Sequence, residues 1–289
     1  MMLAALAFTI MLACVKLMRT SLSAAEVMWW RGLVSLPILM WMLRQTGARL
    51  VNRRVLGLRC VLGIGAMFCF YTAASGLAVS DLALIHKLQP ILIAVMAPLV
   101  LGAAERSGWR VALVLVAGLV GCAVLLAPKL DVGLAPGLWG LAATVFSAGA
   151  HLSVRHLART DRPAPVVFWF HVTLTLVALA IHGVASGSLP RFPTDLWVPL
   201  GVCGVAAAFG QLLMTRAYAL DRAAPVAAAA YVGPLWALAA DVVVFGVLPG
   251  GNALVGGAII IAAGLWLVLA QRRDTLTECT AVAIDARRS

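Results

Sequence analysis

The run SDLALIHKLQPILIAVMAPLVLG, from Ser80 to Gly102, is long and apolar enough to cross a bilayer, yet it carries His86, Lys87 and Gln89 close together and then Pro90. A membrane-spanning helix needs about 20 predominantly apolar residues. Polar side chains at that depth go unsatisfied in lipid, so they face protein or a water-filled cavity. The segment therefore reads as one wall of a polar pathway through a membrane. The rest of the chain agrees, being 63% hydrophobic and 11% charged with a mean hydropathy of +1.02, whereas soluble domains are about 25% charged. Its 289 residues fit roughly ten spans of about 20 residues and leave no room for a soluble domain.

The expected spans are Met2–Leu17, Ala24–Leu43, Leu58–Ala78, Ser80–Gly102, Val111–Ala127, Gly137–Val154, Pro165–Gly183, Leu196–Tyr218, Pro225–Val247 and Asn252–Gln271. The first is read as a span and not a signal peptide, because no basic region precedes it and no cleavage site follows. Sixteen helical residues rise only about 24 Å, which leaves room for a start upstream of Met1. With the N-terminus inside, Lys and Arg divide 16 to 4 between cytoplasmic and outer loops. That split places both termini in the cytoplasm of a multi-pass inner-membrane protein. Arg44, Arg49, Arg53, Arg54 and Arg59 form the most basic loop of this scheme. The net charge of +11 is thereby assigned to topology, and nucleic acid is not expected as a partner. The six cysteines lack CxxC or Cys/His ligand spacing, so neither disulfides nor a metal are expected.

The two ends of the chain echo each other. Pro90 and Pro234, Gly102 and Gly246, and Val111 and Val255 all stand 144 residues apart. An odd number of spans per copy makes the second copy insert upside down, and inverted repeats place a substrate site near the midplane between them. The expected fold is an all-α membrane protein of ten transmembrane helices in two inverted five-helix repeats around a central cavity. The first repeat is 1–127, the linker 128–136, the second repeat 137–271, and a disordered cytoplasmic tail 272–289.

Several stretches resemble the drug/metabolite transporter superfamily, and within it the EamA-type ten-span carriers. They are the opening AALAFTIMLACVK, the Trp29-Trp30-Arg31-Gly32 segment, FYTAASGLAVSDLALIHKLQPILIAVMAPLVLGAAER, and RAYALDRAAPVAAAAYVGPLWALAADVVVFG. The pattern of an apolar helix with a proline and then Leu-Gly-x-x-Glu is met at Pro90, Leu101-Gly102 and Glu105. At Pro234 and Gly246 the acidic residue is missing and Pro249 follows. The resemblance implies two inverted halves around a cavity and transport of amino acids, nucleotide-like metabolites or similar small molecules. Some subgroups with a similar start are described as S-adenosylmethionine permeases.

Lys87, Tyr231, His86, Gln89, Arg31, Tyr71 and Trp236 are the candidate substrate-binding residues. At the 144 offset Lys87 matches Tyr231, so the two are expected to face each other across the cavity. The competing readings are a lysine that snorkels to the interface and an aromatic belt residue. Asp241 is the candidate proton-coupling site; structural pairing with His171 or Arg31 competes with it. Glu26 is an expected partner for Arg31, and His151 and His171 read as packing residues. Pro90 and Pro234 are candidate hinges, since each removes a backbone donor. No P-loop, HExxH or GxSxG sequence is present, so no enzymatic activity, cofactor or ATP hydrolysis is expected. The expected function is secondary active transport of a small polar or amphipathic metabolite by a monomer or weak dimer, against the alternatives of an intramembrane lipid-modifying enzyme or a non-transporting scaffold.

Overall fold

The computed structural model describes residues 1–19, 21–47, 49–74, 79–126, 133–190, 192–245 and 250–266. The side chains of Lys16, Tyr71, Asp81 and Asp241 fall outside that description, as do the expected tail and residues 128–132 of the expected linker. Within it the chain is helical. The first helices are α1 (Met2–Met18), α2 (Ala24–Thr46), α3 (Arg53–Ala74), α4 (Val79–His86), α5 (Gln89–Leu101) and α6 (Trp109–Leu126). They are followed by α7 (Leu134–Leu157), α8 (Pro163–Ser186), α9 (Trp197–Leu220), α10 (Ala223–Ala228) and α11 (Gly233–Phe245), then α12 (Gly251–Trp266).

Among the described residues, five segments are long and apolar enough to cross a membrane: Leu82–Leu101, Trp109–Leu126, Leu134–Leu157, Pro163–Ser186 and Thr194–Leu220. Helices α2 and α3 have the length, at 23 and 22 residues, but carry Glu26, Arg31 and Arg44, and Arg53, Arg54 and Arg59. The lateral surface is greasy: Leu99 is 81% exposed, and Val61, Phe68, Val95, Leu176 and Val184 also point outward. Lipid covers such a surface at no cost, whereas water would not.

The Ser80–Gly102 run, expected as one span, is two helices. Pro90 has no N–H to give the His86 carbonyl. The Lys87 N–H lies near both the Ala83 and Leu84 carbonyls, and the Leu88 N–H donates to Ile85. The chain thus tightens into a turn at Lys87–Leu88 before α5 begins. Pro234 stands in the same place, second residue of α11, after a 3₁₀ turn over Ala229–Val232. Helices α3, α4 and α5 begin at 53, 79 and 89, and α9, α10 and α11 each begin 144 residues later, at 197, 223 and 233.

Packing brings the first and last parts of the chain together. Helix α1 runs along α9, α3 along α7, and α2 along α8. Where α2 crosses α8, Gly32 gives Thr175 the space that a side chain would take. The Ser35 hydroxyl lies 2.8 Å from both its own-helix Arg31 carbonyl and the Gly204 carbonyl of α9, which it serves in turn. Glu105 is 1% exposed although it lies in a turn. Its carboxylate accepts from Arg155 Nε (2.8 Å), Arg159 Nη2 (3.1 Å) and the Ala223 N–H (2.8 Å). Arg155 Nη1 also donates to the Tyr218 carbonyl at 2.7 Å. Glu105 therefore ties the end of α5 to α7 and α10, and Arg155 extends the link to α9. Burial works to raise the Glu105 carboxyl, but the Ala223 N–H and the two guanidinium groups outweigh it and hold it below the ordinary carboxylate range.

Candidate functional site: a cationic cavity between the two parts of the chain

A cavity of about 290 Å³ lies among α1, α2, α3, α4, α7, α8 and α9. Its polar lining is Arg31, Arg59, His86, Ser147, His151, His171 and Gln211. Phe8, Met11, Met67, Phe70 and Phe170 supply the apolar part. Each charged group is placed by its helix. Arg31 sits two turns into α2 and is 7% exposed; Arg59 sits nearly two turns into α3 and is 5% exposed.

Among the described residues, neither guanidinium has a carboxylate within 4 Å. Arg31 Nη1 lies 3.4 Å from Met11 Sδ and Nη2 lies 3.7 Å from Met67 Sδ, and thioethers are weak acceptors. Arg59 Nη2 donates to Gln211 Oε1 at 3.3 Å. Its guanidinium carbon stands 3.9 Å above the centroid of the Phe170 ring, a cation–π contact. Gly63, one turn on, leaves the room that the Arg59 head occupies against Phe170. The Nε of both arginines, His86 Nδ1 and His171 Nε2 are buried without a partner among the described residues.

The histidines are oriented by the main chain. His171 Nδ1 is 3.0 Å from the Val167 carbonyl, so the ring proton belongs there and Nε2 turns a lone pair away from its own helix. His151 Nδ1 is 2.7 Å from the Ser147 carbonyl. Gln89 Nε2 lies 2.6 Å from that same ring nitrogen and 2.9 Å from Ser147 Oγ. Gln89 thus joins α5 to α7 at the edge of the cavity. Among the described residues no group of three His, Cys, Asp or Glu side chains could hold a metal ion.

The candidates named from sequence fall into separate places. Arg31 and His86 line the cavity, with Gln89 beside it on His151. Lys87 and Tyr231 do meet, but directly: the Tyr231 hydroxyl donates to the Lys87 main-chain carbonyl at 3.0 Å, bracing the break between α4 and α5. The Lys87 ammonium lies 3.4 Å from where a Cβ on Gly233 would be, against the start of α11. The Tyr231 ring borders a second, larger hollow of about 520 Å³, whose lining among the described residues is otherwise apolar apart from Asp221. That hollow opens among lipid-facing side chains and lacks the polar chemistry of the first. Trp236 is half-buried, with its indole N–H unpartnered. Tyr71 and Asp241 have side chains outside the described set. Glu26 does not reach Arg31; it forms a capping box with Ser23 at the start of α2.

Arg59 and Gln211 are cavity residues that the sequence alone did not single out, and His151 and His171 join them in place of pure packing roles. Arg59 was grouped with four neighbouring arginines as a loop. The structure begins α3 five residues sooner than expected, and that carries Arg59 inside. A lone Gln in the apolar run 197–220 was the available signal for Gln211.

The profile of the EamA-like transporter family matches residues 1–127. That stretch is an EamA-like transporter domain. The chain is 26% identical over 264 residues to the pseudopaline exporter CntI of Pseudomonas aeruginosa (strain UCBPP-PA14), spanning 90% of this chain and 92% of that protein. It is 24% identical over 275 residues to the riboflavin transporter of Brucella anthropi, spanning 91% and 93%. These relatives are named as transporters, not enzymes. A solved crystal structure superposes with a TM-score of 0.79 at 17% identity, over 94% of this chain and 98% of its own, and so shares the fold. The EamA-like part supplies α1 to α4 of the cavity wall; α7 to α9 come from beyond it.

Proposed function

We propose that this EamA-like protein is a secondary active transporter of a small polar organic metabolite, working by alternating access between two inverted five-helix halves in the bacterial inner membrane, with both termini cytoplasmic. The observation that carries the reading is the cavity itself: two buried guanidinium groups without a carboxylate partner among the described residues, amid helices whose outer faces are apolar. A charge at that depth is costly unless it borders water or a bound partner. The relatives named as a pseudopaline exporter and a riboflavin transporter support a transport role.

Support for two related halves comes from packing as well as from the 144-residue recurrence of helix starts. Exchanging the halves turns the α1–α9 contact into the α7–α3 contact, the α2–α9 contact into α8–α3, and the α5–α7 contact into α11–α1, while α2–α8 maps onto itself; all of these packings are present. Inverted repeats hold their substrate at the interface between the copies, and such a pseudo-twofold axis supports assigning that role to this cavity. Pro90 and Pro234 then mark equivalent breaks at which each half bends, Lys87 and Tyr231 brace those breaks, and Asp241 is the proposed proton site.

The test is a flux measurement on purified protein in metabolite-loaded proteoliposomes, with and without a proton gradient. Solute movement above that of protein-free vesicles, changing with the gradient, is expected. Equal leakage from both kinds of vesicle contradicts the proposal.

A further inference from the structure

The lining of the cavity is electrically lopsided. Arg31 and Arg59 are both more than nine-tenths buried and border it, yet neither has a carboxylate partner among the described residues. Arg31 faces two thioether sulfurs, and Arg59 faces one amide oxygen and an aromatic ring. A guanidinium stays charged in proteins and carries five donors in a planar fork that matches a carboxylate. An uncompensated buried charge is among the least favourable arrangements in a protein. A fold that keeps two of them around one cavity is built for a ligand that brings the missing negative charge.

We infer that the transported substrate is a small organic anion, a carboxylate-bearing molecule that also carries an N–H or O–H donor. Arg31 and Arg59 hold its carboxylates through their free Nε–H and neighbouring donors, as charge-assisted, fork-type hydrogen bonds. His171 Nε2, left with a lone pair by the Val167 bond, accepts from the donor group. The soft wall of Phe8, Met11, Met67 and Phe170 calls for a carbon skeleton, which sets the ligand apart from inorganic phosphate or sulfate. At about 290 Å³ the cavity stands at the small end of ligand sites. This narrows the classes implied by resemblance. A sulfonium would add positive charge to a site that already has two cations, whereas an acidic amino acid or hydroxy acid neutralises it.

The inference rests on the transport reading, and the experiment separates the two. A bacterial metabolite extract is split by anion exchange into a retained, anionic fraction and an unretained, neutral and cationic one. Each fraction is loaded into proteoliposomes, and efflux is followed by mass spectrometry. Compounds leaving through the protein should come from the anionic fraction, and R31Q or R59Q should each slow them by about tenfold or more, the scale of a lost charged hydrogen bond. R31K and R59K, which keep charge but lose the fork, should fall between, and unchanged thermal midpoints confirm that these variants are folded. Efflux confined to the unretained fraction, or equal through wild type and both glutamine variants, overturns the anion assignment and leaves transport standing. No protein-dependent efflux from either fraction overturns the transport reading itself.

Discussion

Arg59 and Glu105 show opposite solutions to the same problem, a charge removed from water. Glu105 is satisfied on every side by two arginines and a backbone N–H, so it serves structure. Arg59 is left with an amide and a ring, which keeps it open to the proposed ligand. E105Q should therefore lower stability by about 2–3 kcal/mol, the scale of charged hydrogen bonds; the full cost of breaking a buried pair is not expected, because the Arg159 side chain is 42% exposed. The sign of the pH dependence follows. The folded Glu105 carboxyl is held below its unfolded value, which is near 4.3. Its contribution is complete above the unfolded value and is lost as pH falls through the folded one. Thermal midpoints of wild type and E105Q in detergent should differ most near neutral pH and converge below about pH 4. A gap that is constant from pH 7 to pH 3.5 would assign the effect to packing alone.

At the scale of helices, the contacts that organise the break in α4–α5 depend on close approach. Gly118 of α6 lies under the Tyr231 ring, 2.5 Å from where its Cβ would be, and the Tyr231 hydroxyl reaches the Lys87 carbonyl. G118A must displace the ring and its hydrogen bond, at a cost of about 1–3 kcal/mol for overpacking. The loss should show as a lower thermal midpoint that G108A, with open space around it, does not share. Apolar run length and charge placement made most of these helices readable from sequence, since each is set by local composition. What they could not give was the depth of Arg59. Five arginines within residues 44–59 read as one loop, and only packing of α3 on α7 and α8 decides that the last of them turns inward. Nor could the 144 offset distinguish two residues facing across a cavity from two residues in contact, and for Lys87 and Tyr231 the outcome is contact.

At the scale of the whole molecule, two kinds of surface must stay distinct: a greasy outer face for lipid and a polar inner one for solute. Gln211 lines the inner cavity beside Arg59, whereas Leu99 stands 81% exposed on the outer face. In a variant lacking all six native cysteines, Q211C and L99C can be treated in membranes with an anionic, membrane-impermeant methanethiosulfonate reagent. Rapid modification of Q211C, with L99C untouched, is the predicted result, because only the former borders water that an anion can enter. If Q211C is as inert as L99C, the space around Arg31 and Arg59 is sealed packing and not a solute pathway.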